Sequence, residues 1–162
     1  MYKKHIDVNE VAAYIADKCG PETKVYVGCD SERLNVSGTW YADYITVVVV
    51  HINGNSGCKI FGAVERERDY DQRSNKPRMR LMNEAYKVSG LYLELAAVVD
   101  LDIEVHLDLN PSELHVSNMV LNEAVGYVKG MCNVIPMVKP NGWAASYAAD
   151  RYKEIVHLNR AA

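Results

Sequence analysis

Four carboxylates are placed where they could do chemistry: Asp30, Glu84, Asp108 and Asp150. Asp30 closes the apolar run "VYVGCD", and Asp108 lies near the end of the alternating run "DIEVHLDLNP". Aspartates at strand ends ordinarily serve turns and helix caps. If the two strands are parallel neighbours, however, both carboxylates reach one edge of a sheet, where open α/β folds place ligands. Two like charges repel there. A divalent cation that prefers hard oxygen ligands, Mg²⁺ or Mn²⁺, relieves that repulsion.

Glu84 belongs to "RLMNEAYKVSGLYLELAAVV", a long helical pattern. At about 100° per residue, Leu81, Ala85, Val88, Tyr92, Leu95 and Val99 share one direction, with Glu84 roughly 60° and Glu94 roughly 140° away from Leu81. Glu84 therefore flanks the buried face and Glu94 points to solvent. An acid near a helix start also serves the macrodipole or a solvated face. Asp150 is the acid of a small-residue segment, "WAASYAADRY", where a helix can approach a sheet closely. An i,i+3 pair with Lys153 is the simpler role for it. The histidines add little: His106 shares the polar strand face with Asp108, and no histidine or cysteine spacing suits zinc. There is no Gly-rich phosphate loop and no GxSxG elbow.

The elements that must position these acids follow from periodicity. "DVNEVAAYIADKCGPE" reads as a short helix stopped by Gly20-Pro21. "KVYVGCD", "TWYADYITVVVVHI" and "CKIFGAVERE" read as three strands, the second and third joined by the turn signal "NGNSG". The charged segment "ERERDYDQRSNKPRMR" reads as a loop leading into the long helix. Its basic residues Arg66, Arg68, Arg73, Lys76, Arg78 and Arg80 form either a solvated connection or a phosphate-contacting patch. "DIEVHLDLNP" is a fourth strand, "SELHVSNMVLNEAVGYVKGM" a helix, "NVIPMVKP" a short fifth strand, and "NGWAASYAADRYKEIVHLNRAA" a closing helix. The expected fold is α/β. Its mixed five-stranded sheet has an antiparallel three-strand meander followed by parallel strands, with helices packed on it. Residues 1–162 form a single domain with an added N-terminal helix at about 7–19.

Composition bounds the partners. A chain of 162 residues with net charge −3 carries no global basic excess, so nucleic-acid binding must use a local patch or metal ions. No apolar run approaches the ~18 residues of a membrane span, and "MYKKHIDVNE" lacks the apolar core of a signal peptide. Cys19, Cys29, Cys58 and Cys132 are scattered, as expected of free thiols in a reducing cytoplasm.

The order of elements and acids resembles the ribonuclease H-like superfamily, and "CDS", "RLMNEAYKVS", "IEVHLDLNP", "LNEAVGYVKGM" and "VKPNGWAASYAADR" are similar to the YkuK-like family of ribonuclease H-related proteins. The likeness runs from about residue 20 to 152. It implies a metal-dependent nuclease acting on phosphodiester bonds, RNA or an RNA/DNA hybrid before DNA. Asp30, Glu84, Asp108 and Asp150 would be both the catalytic residues and the ligands of two Mg²⁺ or Mn²⁺ ions. Ser31, Arg78, Arg80, Asn110, Asn118 and Lys139 are candidate substrate contacts. Lys139 and Asn141 occupy the segment where ribonucleases H often carry a histidine. The competing expectations are a non-catalytic nucleic-acid or protein-binding module on the same fold, and a small phosphotransferase or ATPase.

Overall fold

In the computed structural model, residues 3–53, 57–70, 78–108, 118–138 and 147–161 are described, without the side chains of 118, 119 and 157–161. The elements run α1 (Val8–Lys18), β1 (Lys24–Val36), β2 (Thr39–His51), β3 (Cys58–Arg68), α2 (Arg78–Ala96), β4 (Ile103–Leu107), α3 (Asn118–Cys132) and α4 (Ala149–Ala161). The sheet order is β3-β2-β1-β4. β1, β2 and β3 form the expected antiparallel meander, and β4 adds parallel to β1.

The run "ITVVVV" in β2 is uninterrupted because both faces of that strand are covered: Ile45 and Val47 to Val50 are all fully buried. On one face Val25, Val27, Cys29, Val48 and Val50 pack under α2 and α3 through Leu81, Ala85, Val88, Leu95, Ala124 and Val128. On the other face Tyr26, Ile45, Val47, Val49 and Val64 pack under the start of α4 through Ala148, Ala149 and Tyr152. Helix α1 is capped by Asp7, whose carboxylate accepts from the Asn9 N–H at 3.0 Å.

Two expectations need correction. β1 does not stop at Asp30. It continues through Ser31 to Val36 and turns tightly at Ser37-Gly38, both at positive φ (52° and 87°), before pairing Val36 with Thr39. Such a two-residue turn matches the twist of the flanking strands and holds the hairpin together well past the core. Among the described residues the sheet also has four strands rather than five. "NVIPMVKP" contributes a single bridge, Met137 beside His106, in which Met137 donates to Val105 O at 2.8 Å and accepts from Leu107 N at 2.9 Å. Pro136 has no N–H to offer a longer ladder.

Gly62 sets how closely α4 lies on the sheet. A Cβ there would fall 2.5 Å from the Tyr152 ring. Gly62→Ala is expected to push α4 outward and lower stability by ~1–3 kcal/mol, read as the shift in urea midpoint. Tyr152→Leu in the same background should recover part of that loss.

Candidate active site at the β1–β4 edge

The parallel register sets Val25 beside Ile103 and, at its last pair, Cys29 beside Leu107. The next residues on the two chains are Asp30 and Asp108. Strand β4 ends there, while β1 goes on paired with β2, Asp30 opposite Ile45. The two aspartates therefore follow the last pair of neighbouring strands about 4.8 Å apart, and both are partly exposed.

Ser31 ties this edge to the helix layer. Its N–H donates to Asp30 Oδ1 at 2.8 Å, and its hydroxyl donates to Glu84 Oε1 at 2.6 Å. Alternation explains the geometry: Asp30 shares a face with Tyr26, toward α4, whereas Ser31 shares the face of Val27 and Cys29, toward α2. Glu84 is only 2% exposed. Glu94 is exposed, as its helical position suggests.

Beside Ser31 on the same face, Arg33 meets Asp69 at 2.8 Å, and Arg80 Nε lies 4.0 Å from the same carboxylate oxygen. Arg33 also stacks over Trp40, 4.2 Å from the ring centroid. Arg80 is one helical turn before Glu84 on α2. Burial pushes the Tyr44 phenol up against the lowering effect of its Asn83 hydrogen bond, and the charges of Glu67, Glu84 and Asp69 add to the rise.

Asp150 sits in the first turn of α4 with its side chain 65% exposed. Lys153 Nζ is 3.3 Å from Asp150 and 2.6 Å from Glu32, which shares the α4 face with Asp30 two residues away. The expected i,i+3 pair is thus present, and it also clips α4 to β1. Burial lowers the Lys153 amine, but Glu32 and Asp150 outweigh it and the net shift is upward.

The remaining substrate candidates are scattered. Arg78 is exposed and pairs with Glu123. Arg80 is buried beside Asp69 rather than open to solvent. Asn118 begins α3, but its side chain, like all of Asn110 and Lys139, lies outside the described residues. Sequence reasoning missed Arg33, Asp69, Glu32 and Lys153 as members of this neighbourhood. The i,i+2 spacing of Ser31 and Arg33 was the available signal, concealed by ending β1 at Asp30. His106 is 1% exposed, 5.0 Å from the Tyr26 ring centroid, and burial lowers its pKa against the opposing Glu104 carboxylate.

Among the described residues, no three carboxylate, imidazole or thiolate side chains are grouped closely enough to hold a metal ion. The donors where β4 ends are the carboxylates of Asp30 and Asp108, while Glu84 is buried toward α2 behind Ser31. Asp30 and Glu84 face donors on Ser31, and Asp150 faces the Lys153 amine.

A mixed sheet with helices on both faces makes this an α/β protein. The sequence pattern of the family "Ribonuclease H-like" matches residues 7–154, and the chain belongs to that family. No curated protein matches the sequence. Among solved structures, the NurA nuclease from Sulfolobus solfataricus aligns over 68% of this chain at 12% identity with a TM-score of 0.37. The chain spans 38% of the length of that nuclease.

Ser31→Ala removes the hydroxyl that donates to the buried Glu84 carboxylate. The expected cost is ~1.5–3 kcal/mol in urea unfolding. In a double-mutant cycle with Glu84→Gln, a coupling of about 1 kcal/mol or more is expected, and additive single effects would disprove the link.

Proposed function

We propose that the protein is a metal-dependent nuclease that hydrolyses phosphodiester bonds of nucleic acid, with RNA or an RNA/DNA hybrid as the favoured substrate. The observation that carries this reading is the parallel register whose last pair, Cys29 beside Leu107, is followed by Asp30 on β1 and Asp108 after β4. The coupling of Asp30 to buried Glu84 through Ser31 supports it, as does membership of the Ribonuclease H-like family.

In this reading Asp30, Asp108, Glu84 and Asp150 hold Mg²⁺ or Mn²⁺. When bound, such ions would lower the pKa of an attacking water and stabilise the leaving oxygen. The chain's own residues do the positioning. Asp30 and Asp108 are both partly exposed, with Asp108 Oδ1 turned inward. Ser31 fixes the orientation of Asp30 and Glu84 together. Lys153 holds α4, and with it Asp150, against β1 at Glu32. Arg78, Asn110, Asn118 and Lys139 remain candidate contacts to the substrate. Arg80 lies buried beside Asp69 instead of at the surface.

With Mn²⁺ present, Asp30→Asn and Asp108→Asn should each lower cleavage of a labelled RNA/DNA hybrid by ~100-fold or more. Removing a mere supporting residue of a metal site typically costs 10–100-fold, so a ligand should cost at least as much. Thermal unfolding should stay within a few degrees of wild type, because both residues are partly exposed. Undiminished cleavage in both variants would sink the assignment.

A further inference from the structure

The α4 face of the sheet continues beyond the acidic edge. Asp30, Glu32, Leu34 and Val36 alternate along β1 on this face, and the registers set Leu34 opposite Tyr41 and Tyr41 opposite Arg68. Leu34, Tyr41 and Arg68 thus form one row across three strands, about 13 Å along β1 from Asp30. The core under α4 gathers around Tyr26, Ile45, Val47, Val49 and Val64, and does not extend to this row. Val36 is 43% exposed and Tyr70, just past β3, is 70% exposed. The Arg68 guanidinium lies over the Tyr70 ring, 5.1 Å from its centroid. Among the described residues Arg68 has no carboxylate partner, whereas Arg66 on the same face is paired bidentately with Asp43.

An apolar row alone would suit many partners. This one adds an exposed tyrosine with a cation stacked on it, and it is continuous with an edge already read as handling phosphodiesters. Bases stack on exposed aromatic faces whatever their sequence, and an arginine beside the ring serves the backbone phosphate. An unstacked single strand can present its bases in this way, and a duplex keeps them inside.

We infer that Leu34, Val36, Tyr41, Arg68 and Tyr70 form a stacking surface for a single-stranded stretch of nucleic acid leaving the acidic edge. This rests on the nuclease reading for its direction along the sheet, but it is measurable without turnover. The probe is a fluorescein-labelled oligothymidylate, read by anisotropy in EDTA, against a labelled duplex of mixed sequence. Wild type should bind the single strand more tightly than the duplex. Tyr70→Ala should weaken single-strand binding about 5-fold or more, while Tyr70→Phe retains it. Arg68→Ala should reduce the salt slope of single-strand binding by about 0.7.

Tyr70 is too exposed for its replacement to threaten folding, and an unchanged melting temperature would verify that. Single-strand affinity in Tyr70→Ala within about twofold of wild type would overturn the inference, as would equal losses for single strand and duplex. The two readings fail separately. Tyr70-dependent binding without any Mn²⁺-dependent cleavage would remove the nuclease and leave this surface. Cleavage abolished by Asp30→Asn, with binding indifferent to Tyr70, would do the reverse.

Discussion

One serine joins the two layers of the candidate site. Ser31 sits two residues past the last β1–β4 pair, next to Asp30, and its side chain turns toward α2. Its N–H orients Asp30 and its hydroxyl orients Glu84. Asp30 and Glu84 lie toward opposite faces of the sheet, and Ser31 bonds to both. Sheet alternation, which would otherwise keep Asp30 and Glu84 apart, becomes the means of coupling them.

The rest of the architecture supports that position. Valines buried on both faces stiffen β1 and β2, so the register at Asp30 is inherited from the core. The Ser37-Gly38 turn keeps the hairpin paired beyond the core, carrying Arg33 to Asp69 and Arg80. A second guanidinium, from Arg80 one helical turn before Glu84, lies 4.0 Å from the Asp69 carboxylate. From the other face, Gly62 admits the Tyr152 ring, and Lys153 binds the first turn of α4 to Glu32.

Much of the fold was legible because it depends on local periodicity. The β-branched run of β2, the helical spacing around Glu84 and the alternation of β4 each state their own element and buried face. The meander and the parallel addition of β4 followed from connection lengths. Two readings failed where local pattern and pairing diverge. "SERLNV" looks like a loop in isolation because polar residues follow an apolar run, yet β2 supplies it with a full hydrogen-bonded partner. "NVIPMVKP" has strand composition, yet Pro136 limits it to one bridge.

The sequence by itself determined that Asp108 stands at a strand end, and that Glu84 borders the core while Glu94 does not. Those are properties of residue type and period, and they need no knowledge of the partner strand. Only the tertiary structure decided that Ser31 links Asp30 to Glu84, that Arg80 serves an interior ion cluster instead of the surface, and that Lys153 joins α4 to Glu32. Each of these contacts spans at least eleven residues of chain, and 121 for the Lys153–Glu32 pair. It exists only once the register and the helix docking have brought the two ends within about 3–4 Å, the range over which hydrogen bonds and ion pairs act.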